Sequence, residues 1–278
     1  MTARPPPKFP LRLDQLAKAT PTGAGDAKTP ARTVLRPQQP VQHAHAATAR
    51  AAPPASGLGL DSADVRARMA ERLRVAGVND PRVLQAMAAV PRHRFVDAAL
   101  VTQAYEDTSL PIGHGQTISK PSVVARMLEL LFGGANASAA GHLGRTLEIG
   151  TGCGYQAALL ARLARQVYSI ERLKPLHDKA RLLLAEARPT NLRLIYGDGM
   201  LGHGPNAPYD AIIAAAGGEA LPPAWLDQLA VGGRLVAPLR QPGTQRQVLV
   251  VVDRSETGCR HTLHEAVHFV PLRSGLAG

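Results

Sequence analysis

The sequence predicts an α/β fold: a mostly parallel sheet with an antiparallel C-terminal hairpin, preceded by a small helical subdomain. Three observations carry that expectation. Thr146-Leu147-Glu148-Ile149 is a short apolar run, Gly150, Gly152 and Gly154 then alternate, and an Ala/Leu-rich segment opens at Tyr155. Strand, glycine turn and helix in that order begin a nucleotide-binding βαβ unit. Further strand-like and helix-like runs then alternate as far as Pro238, which is the pattern of a parallel sheet with helical crossovers. The last two strand candidates, Gln247 to Val252 and His261 to Val270, are separated only by a turn at Glu256-Thr257-Gly258. That leaves no room for a helix, so they are expected to pair antiparallel.

Taken in order, order is expected to begin at Asp61. Val65, Met69, Leu73 and Ala76 recur at helical spacing, and Gly77 closes that run. Asp80-Pro81 starts a second helix, with the acid as cap and the proline in the first turn. A third short helix is expected over Arg94 to Leu100. Tyr105 to Lys120, punctuated by Pro111, Gly113 and Gly115, shows no sustained period and reads as a long irregular loop. Such loops inside compact domains are uncommon and often functional. Pro121 opens a helix whose buried face is Val124, Met127, Leu128 and Leu131, and residues 133–144 read as a connector rich in Gly, Ala, Ser and Asn. Beyond the glycine turn, strands are expected at Gln166 to Ile170, Leu192 to Tyr196, Asp210 to Ala215 and Arg234 to Pro238. Helices are expected from Pro175 to Glu186 and from Pro222 to Leu229, with Gly232-Gly233 turning into the last of these strands.

Composition narrows the function classes. Hydrophobic residues make up 45% of the 278, ample for a core, but aromatic residues only 4%, so that core is mostly Ala, Leu and Val. No apolar run approaches the ~20 residues that span a bilayer, and no apolar signal segment opens the chain. Two cysteines, Cys153 and Cys259, are too few for a disulfide framework or a Cys-rich zinc site, and a cytoplasmic enzyme is expected. His264 and His268 stand four apart, but on a strand that spacing builds no compact site, so no metal is expected. Residues 1–60 hold ten of the 23 prolines and eight of the 32 Lys and Arg against two acids. The segment is too poor in large apolar residues to offset its chain entropy, and reads as a disordered basic tail. A basic tail raises nucleic acid as a partner. Yet the charges are scattered and Phe9 is the one aromatic residue among them, too little for base stacking, so a solvated extension is the expectation.

Acids close successive strands, where ligands bind in open α/β sheets. Glu171 lies 21 residues beyond Gly150, the usual offset for a carboxylate that receives ribose hydroxyls. Asp198, in Gly-Asp-Gly after the third strand, is placed to accept from an adenine amino group. The loop spacing is ExGxGxG rather than the GxGxxG of dinucleotide sites, and it resembles the loop of class I S-adenosylmethionine-dependent methyltransferases. An acid there would balance a sulfonium cation, although Glu148 could instead hold the loop by accepting backbone N–H groups.

YEDTSLPIGHGQTISKPSVVARMLELL, LEIGTGCGYQAALLARL, VYSIER, GDG and the terminal EAVHFVPL together resemble the protein-L-isoaspartate (D-aspartate) O-methyltransferase family. The resemblance covers about residues 61 to 275 in order. It implies a Rossmann-like methyltransferase domain over that span, with the helical subdomain and active-site loop in 61–132 and the core in 145–275. It further implies transfer of a methyl group from S-adenosylmethionine to the α-carboxyl of L-isoaspartyl residues in damaged proteins and peptides, a repair reaction. The family's active-site serine carries over to Ser119. Thr117, Ile118 and Pro121 would help enclose the cofactor and the substrate carboxylate. Gly150, Gly152, Glu171, Asp198 and Gly199 match cofactor-binding positions, and Glu148 and Gly154 complete the loop. Cys153 stands where many members have Ser, and AAGGEALP after the fourth strand replaces a commoner apolar-Pro run, leaving local substrate contacts open. Without the resemblance, Ser119 reads as a cap for the helix opening at Pro121. Two rivals remain: a same-fold methyltransferase with another substrate, and a nucleic-acid binder working through the tail.

Overall fold

The structure is a computed structural model that describes residues 62–277, apart from 188 and 242. The tail expected over 1–60 lies outside the described residues. Helix α1 (Ala63–Val75) is capped by Ser62, whose hydroxyl accepts from Val65 N–H, and it buries Met69, Ala70 and Leu73. Gly77, at φ +105°, ends it. In α2 (Pro81–Ala89) the Asp80 carboxylate accepts from the N–H groups of Arg82 and Val83, as the Asp-Pro pair predicts. The single helix expected over 94–100 is instead two 3₁₀ turns, Arg92–Phe95 and Ala98–Gln103. Val96 between them is extended, and Asp97 caps the second turn through Ala99 N–H. A side chain that offers the backbone a cap in mid-segment competes with a continuous helix.

The expected irregular loop contains a hairpin, β1 (Leu110–Gly113) paired antiparallel with β2 (Gln116–Ile118). His114 and Gly115 form its two-residue turn, with φ of +53° and +67°. Left-handed residues at both positions give the twist that flanking strands need. Leu110, Ile112 and Ile118 are buried, so the hairpin is anchored in the core. Next come α3 (Pro121–Phe132) and α4 (Ala135–Ala140). The latter occupies what composition reads as a plain connector.

The main sheet comprises β3 (Arg145–Ile149), β4 (Gln166–Glu171), β5 (Leu192–Tyr196), β6 (Tyr209–Ala214), β7 (Leu229–Arg240), β8 (Gln247–Ser255) and β9 (Gly258–Val267). Helices α5 (Tyr155–Leu163), α6 (Lys174–Ala185) and α7 (Pro223–Asp227) connect the parallel strands. The spatial order is β5-β4-β3-β6-β7-β8-β9, parallel through β7 and antiparallel from β7 to β9. The terminal hairpin is therefore as expected. Gly232-Gly233 does not lead into a strand; it lies inside β7, where the register with β6 shifts.

Two apolar clusters cover the sheet. One joins α1, α2, α3 and α5 to one face, and the other packs Trp225 and Leu229 against Leu147, Ile149 and Ile212. Because β3 is central, its residues are buried on both faces, Leu147 and Ile149 on one and Thr146 and Glu148 on the other. The chain leaves β3 toward β4 and β5, then returns past β3 to β6. That reversal is the switch point at which open α/β sheets bind ligands.

Candidate active site

At the carboxyl end of β3 the glycine loop leaves the sheet with Gly150, Gly152 and Gly154 all at positive φ. Gly150 and Thr151 donate to the Ile170 carbonyl at 2.8 and 3.1 Å, which folds the loop back over β4. A Cβ on Gly152 would come within 3.2 Å of Ile112 Cδ1 in the hairpin. Loop and hairpin therefore approach one another closely, and the small residue sets that approach. Glu171, buried at the end of β4, accepts from Gly152 N–H through Oε2 and from Leu173 N–H through Oε1, both at 2.9 Å. One carboxylate thus ties together the loops that follow β3 and β4. A carboxylate has about four acceptor sites, so two remain for a ligand's hydroxyls.

The hairpin faces this loop across a cleft. Thr117, Ile118 and Ser119 line one side, and Gly150, Gly152 and Glu171 the other. Gly199 lines it as well, and its carbonyl is held at 2.8 Å by Trp225 Nε1–H. A Cβ there would lie 2.6 Å from Ile149 Cγ2. Ser119 also borders a second groove, shared with Lys120, Val267 and His268. It stands between the cleft and that groove. Nor does Ser119 cap α3: Lys120 is the cap residue and makes no side-chain cap bond, while Ser122 N–H donates to Asp107 at 2.8 Å.

Four of the site residues read from the sequence do not line the cleft: Pro121, which opens α3, and Glu148, Gly154 and Asp198. Gly154 caps α5 at φ +91°, packed against Leu184. Glu148 is wholly buried and accepts from the Ser169 hydroxyl, which also bonds Thr151 Oγ1 at 2.6 Å. It takes no backbone N–H. Burial pushes its carboxyl up to about 8, opposed by the Ser169 hydroxyl and the Gln156 amide and reinforced by the charge of Glu171. Asp198 accepts from Met200 N–H through one oxygen, and from Ser274 Oγ and Gly275 N–H through the other at 2.7 and 2.6 Å. Burial by itself raises that carboxyl, but these hydrogen bonds, Gly275 first, hold it below the usual range.

Two contributors were missed by sequence reasoning. The first is the C-terminal strap, whose residues Val270 to Arg273 line the cleft. Gly217 N–H donates to Val270 O and Leu272 N–H to Gly217 O, while Lys174 N–H and Ala277 N–H pair the strap's end with the chain after β4. The signal was present in EAVHFVPL, but nothing local says where that segment lies. The second is Gln156, in the first turn of α5, buried in the cleft wall with its amide toward the Glu148 carboxyl. Cys153 is buried, and burial pushes its thiol up, so it is packing rather than a nucleophile. Among the described residues no three His, Cys, Asp or Glu side chains gather in a metal-binding group.

An open α/β sheet with a GxGxG turn on its central strand, and an acid closing the next, is a class I methyltransferase. The residues present fit S-adenosylmethionine: Glu171 keeps acceptor sites for a ligand's hydroxyls, and Gly152 brings bare backbone to the cleft. Residues 64–277 match the protein-L-isoaspartate(D-aspartate) O-methyltransferase family. A protein-L-isoaspartate O-methyltransferase of Methylibium petroleiphilum is 62% identical over 273 residues, covering 98% of this chain and 97% of its own. One of Leptothrix cholodnii is 66% identical over 245 residues, 86% of this chain and 84% of its own. A solved protein-L-isoaspartate O-methyltransferase superposes with a TM-score of 0.67 at 26% identity, over 76% of this chain and 67% of its own. A Plasmodium falciparum structure in complex with S-adenosyl-L-homocysteine shares the fold, with a TM-score of 0.62 at 24% identity over 75% of this chain and 98% of its own. The chain belongs to the protein-L-isoaspartate (D-aspartate) O-methyltransferase family.

Proposed function

We propose that this chain carries out its family's repair reaction, methylating the α-carboxyl of L-isoaspartyl residues in damaged proteins and peptides, with Ser119 orienting that carboxylate. Bound S-adenosylmethionine supplies an electrophilic methyl group. The substrate carboxylate is ionised at pH 7 and needs no strong base. The protein's task is to hold one carboxylate oxygen in line with the methyl carbon and sulfur, and to keep water out. Positioning of this kind can supply ~7–11 kcal/mol. S-adenosylmethionine held by Glu171 and the Gly150–Gly152 turn would supply the methyl group to that oxygen, its sulfur keeping the electron pair of the bond given up. One observation carries the assignment: Ser119 borders both the cleft of the glycine loop and the groove beside Lys120 and Val267. A residue at that junction can touch a peptide on one side and the methyl donor on the other.

Thr117, Ile118, Gly150, Gly152, Glu171 and Gly199 make up the cofactor's surroundings in this reading. Asp198 acts at one remove, through the strap. A cytoplasmic setting belongs to the same proposal; both cysteines are free, and no described helix is long and apolar enough to cross a membrane. The deciding experiment offers methyl-labelled S-adenosylmethionine with an isoaspartyl peptide and with its normal aspartyl twin. Base-labile label is expected on the first alone. Label on neither would overturn the reading, and equal label on both would favour a methyltransferase of different substrate.

A further inference from the structure

We infer that Arg92 is a positioning residue for the reaction, setting the distance between Ser119 and the glycine loop. Its side chain is fully buried at the start of the first 3₁₀ turn. Nε donates to the Ala104 carbonyl at 2.8 Å, and Nη2 to the carbonyls of Ser119 at 2.8 Å and Thr108 at 3.4 Å. The guanidinium carbon lies 4.9 Å from the centroid of the Tyr155 ring. Tyr155 follows the last glycine of the loop and lines the cleft. One planar cation therefore touches both banks: the backbone of Ser119 and the residue on which the glycine loop ends.

The chemistry selects arginine here. A buried cation must be met by dipoles or charges, and these three carbonyls come from the second 3₁₀ turn, the approach to the hairpin and its exit. A guanidinium serves several carbonyls from one rigid plane that also stacks on an aromatic face, whereas an ammonium has three rotating donors and no plane to stack. Nη1 makes no hydrogen bond among the described residues, so the tying is done by the edge that faces the Ser119 carbonyl. With that carbonyl clamped, the Ser119 backbone is held where the residue borders both the cleft and the groove. The inference deepens the assignment of Ser119 and rests on it.

The test compares Arg92→Lys, and Arg92→Ala with and without added methylguanidine, in the full chain. An isoaspartyl peptide is the substrate and S-adenosyl-L-homocysteine the binding probe. Arg92→Lys is expected to lower kcat about tenfold to a hundredfold, the scale of a misplaced reactant, with S-adenosyl-L-homocysteine affinity held. Methylguanidine is expected to restore turnover to Arg92→Ala, as ammonium does not. Full kcat in Arg92→Lys, or affinity and thermal midpoint falling in step with kcat, would overturn the inference. If neither variant folds, hydrogen exchange on the intact chain decides: amides of 116–119 and of 98–104 should open as one unit, and independent opening would sink the idea. Ser119→Ala in the same assay keeps the two readings apart. Full turnover there removes the serine's role, whatever Arg92 does.

Discussion

Ser119 and Glu148 are the two residues whose chemistry is most directly measurable. If the Ser119 hydroxyl orients the substrate carboxylate, Ser119→Ala lowers kcat/KM for an isoaspartyl peptide by about tenfold to a hundredfold. Because the α3 cap is Lys120, with Ser122 N–H on Asp107, thermal midpoint and S-adenosyl-L-homocysteine affinity should stay put. A calorimetric scan beside the kinetics checks this, and parallel loss of stability would sink the orienting role. Glu148 makes a pH prediction. Its carboxyl is pushed from the ordinary 4.5 up to about 8 by burial, so the folded chain holds a proton there that the unfolded chain has released. Stability from this group is present below the lower value and lost as pH rises through that window, the loss reaching roughly 5 kcal/mol once both states are ionised. Glu148→Gln should match wild type near pH 5 in denaturant titration and exceed it at pH 8. Equal pH slopes for the two proteins would show that Glu148 ionises freely in place.

Among the elements, the hairpin and the C-terminal strap do most to shape the cleft, and neither was legible as an element. The hairpin escaped because Pro111, Gly113 and Gly115 look like loop punctuation, while its pairing rests on left-handed backbone at His114 and Gly115. The strap escaped because its contacts are distant in sequence: Ser274 and Gly275 to Asp198, and Gly275 O accepting from Arg172 Nε at 2.7 Å. These latch residues 270–273 in the cleft wall. Truncation after Arg273 removes the latch, and release of S-adenosyl-L-homocysteine should quicken about tenfold, the scale of one hydrogen bond to a charged group. Stopped-flow dissociation measures this; an unchanged rate would mean that the strap does not limit exit. Asp198 shows why a strand-end acid is ambiguous from sequence. Its position predicts a ligand, but one oxygen takes Met200 N–H and the other holds the strap.

For the whole molecule, the sheet order decides where chemistry happens. The cleft lies where the chain reverses direction beside β3, and the helical subdomain reaches that point through the hairpin and Ser119. Every residue that lines the cleft falls within 64–277, the span matched by the family. Removing residues 1–60 should therefore leave kcat, KM and cofactor affinity within about twofold, since such extensions are where change is tolerated. Steady-state kinetics on the shortened chain provides the check. Loss of peptide methylation would give the tail a part in the reaction, and loss of nucleic-acid binding alone would give it a separate one.

The sequence by itself determined the parallel core, the antiparallel ending, the glycine turn and the place of Glu171, because these depend on local periodicity, turn chemistry and spacing along the chain; Ser119 followed from the family resemblance. Seven of the eleven site residues read from the sequence meet in one cleft. Only the tertiary structure decided where Glu148, Gly154 and Asp198 go instead. Glu148 alternates with Leu147 and Ile149 on a strand buried on both faces, so its side chain enters the interior and not the cleft. Gly154 turns the chain into α5, and Asp198 meets residues 76 and 77 positions further on. The strap and the Arg92 tie likewise exist only once distant segments pack together. A side chain's direction and its long-range partner follow from packing, and no window of sequence contains them.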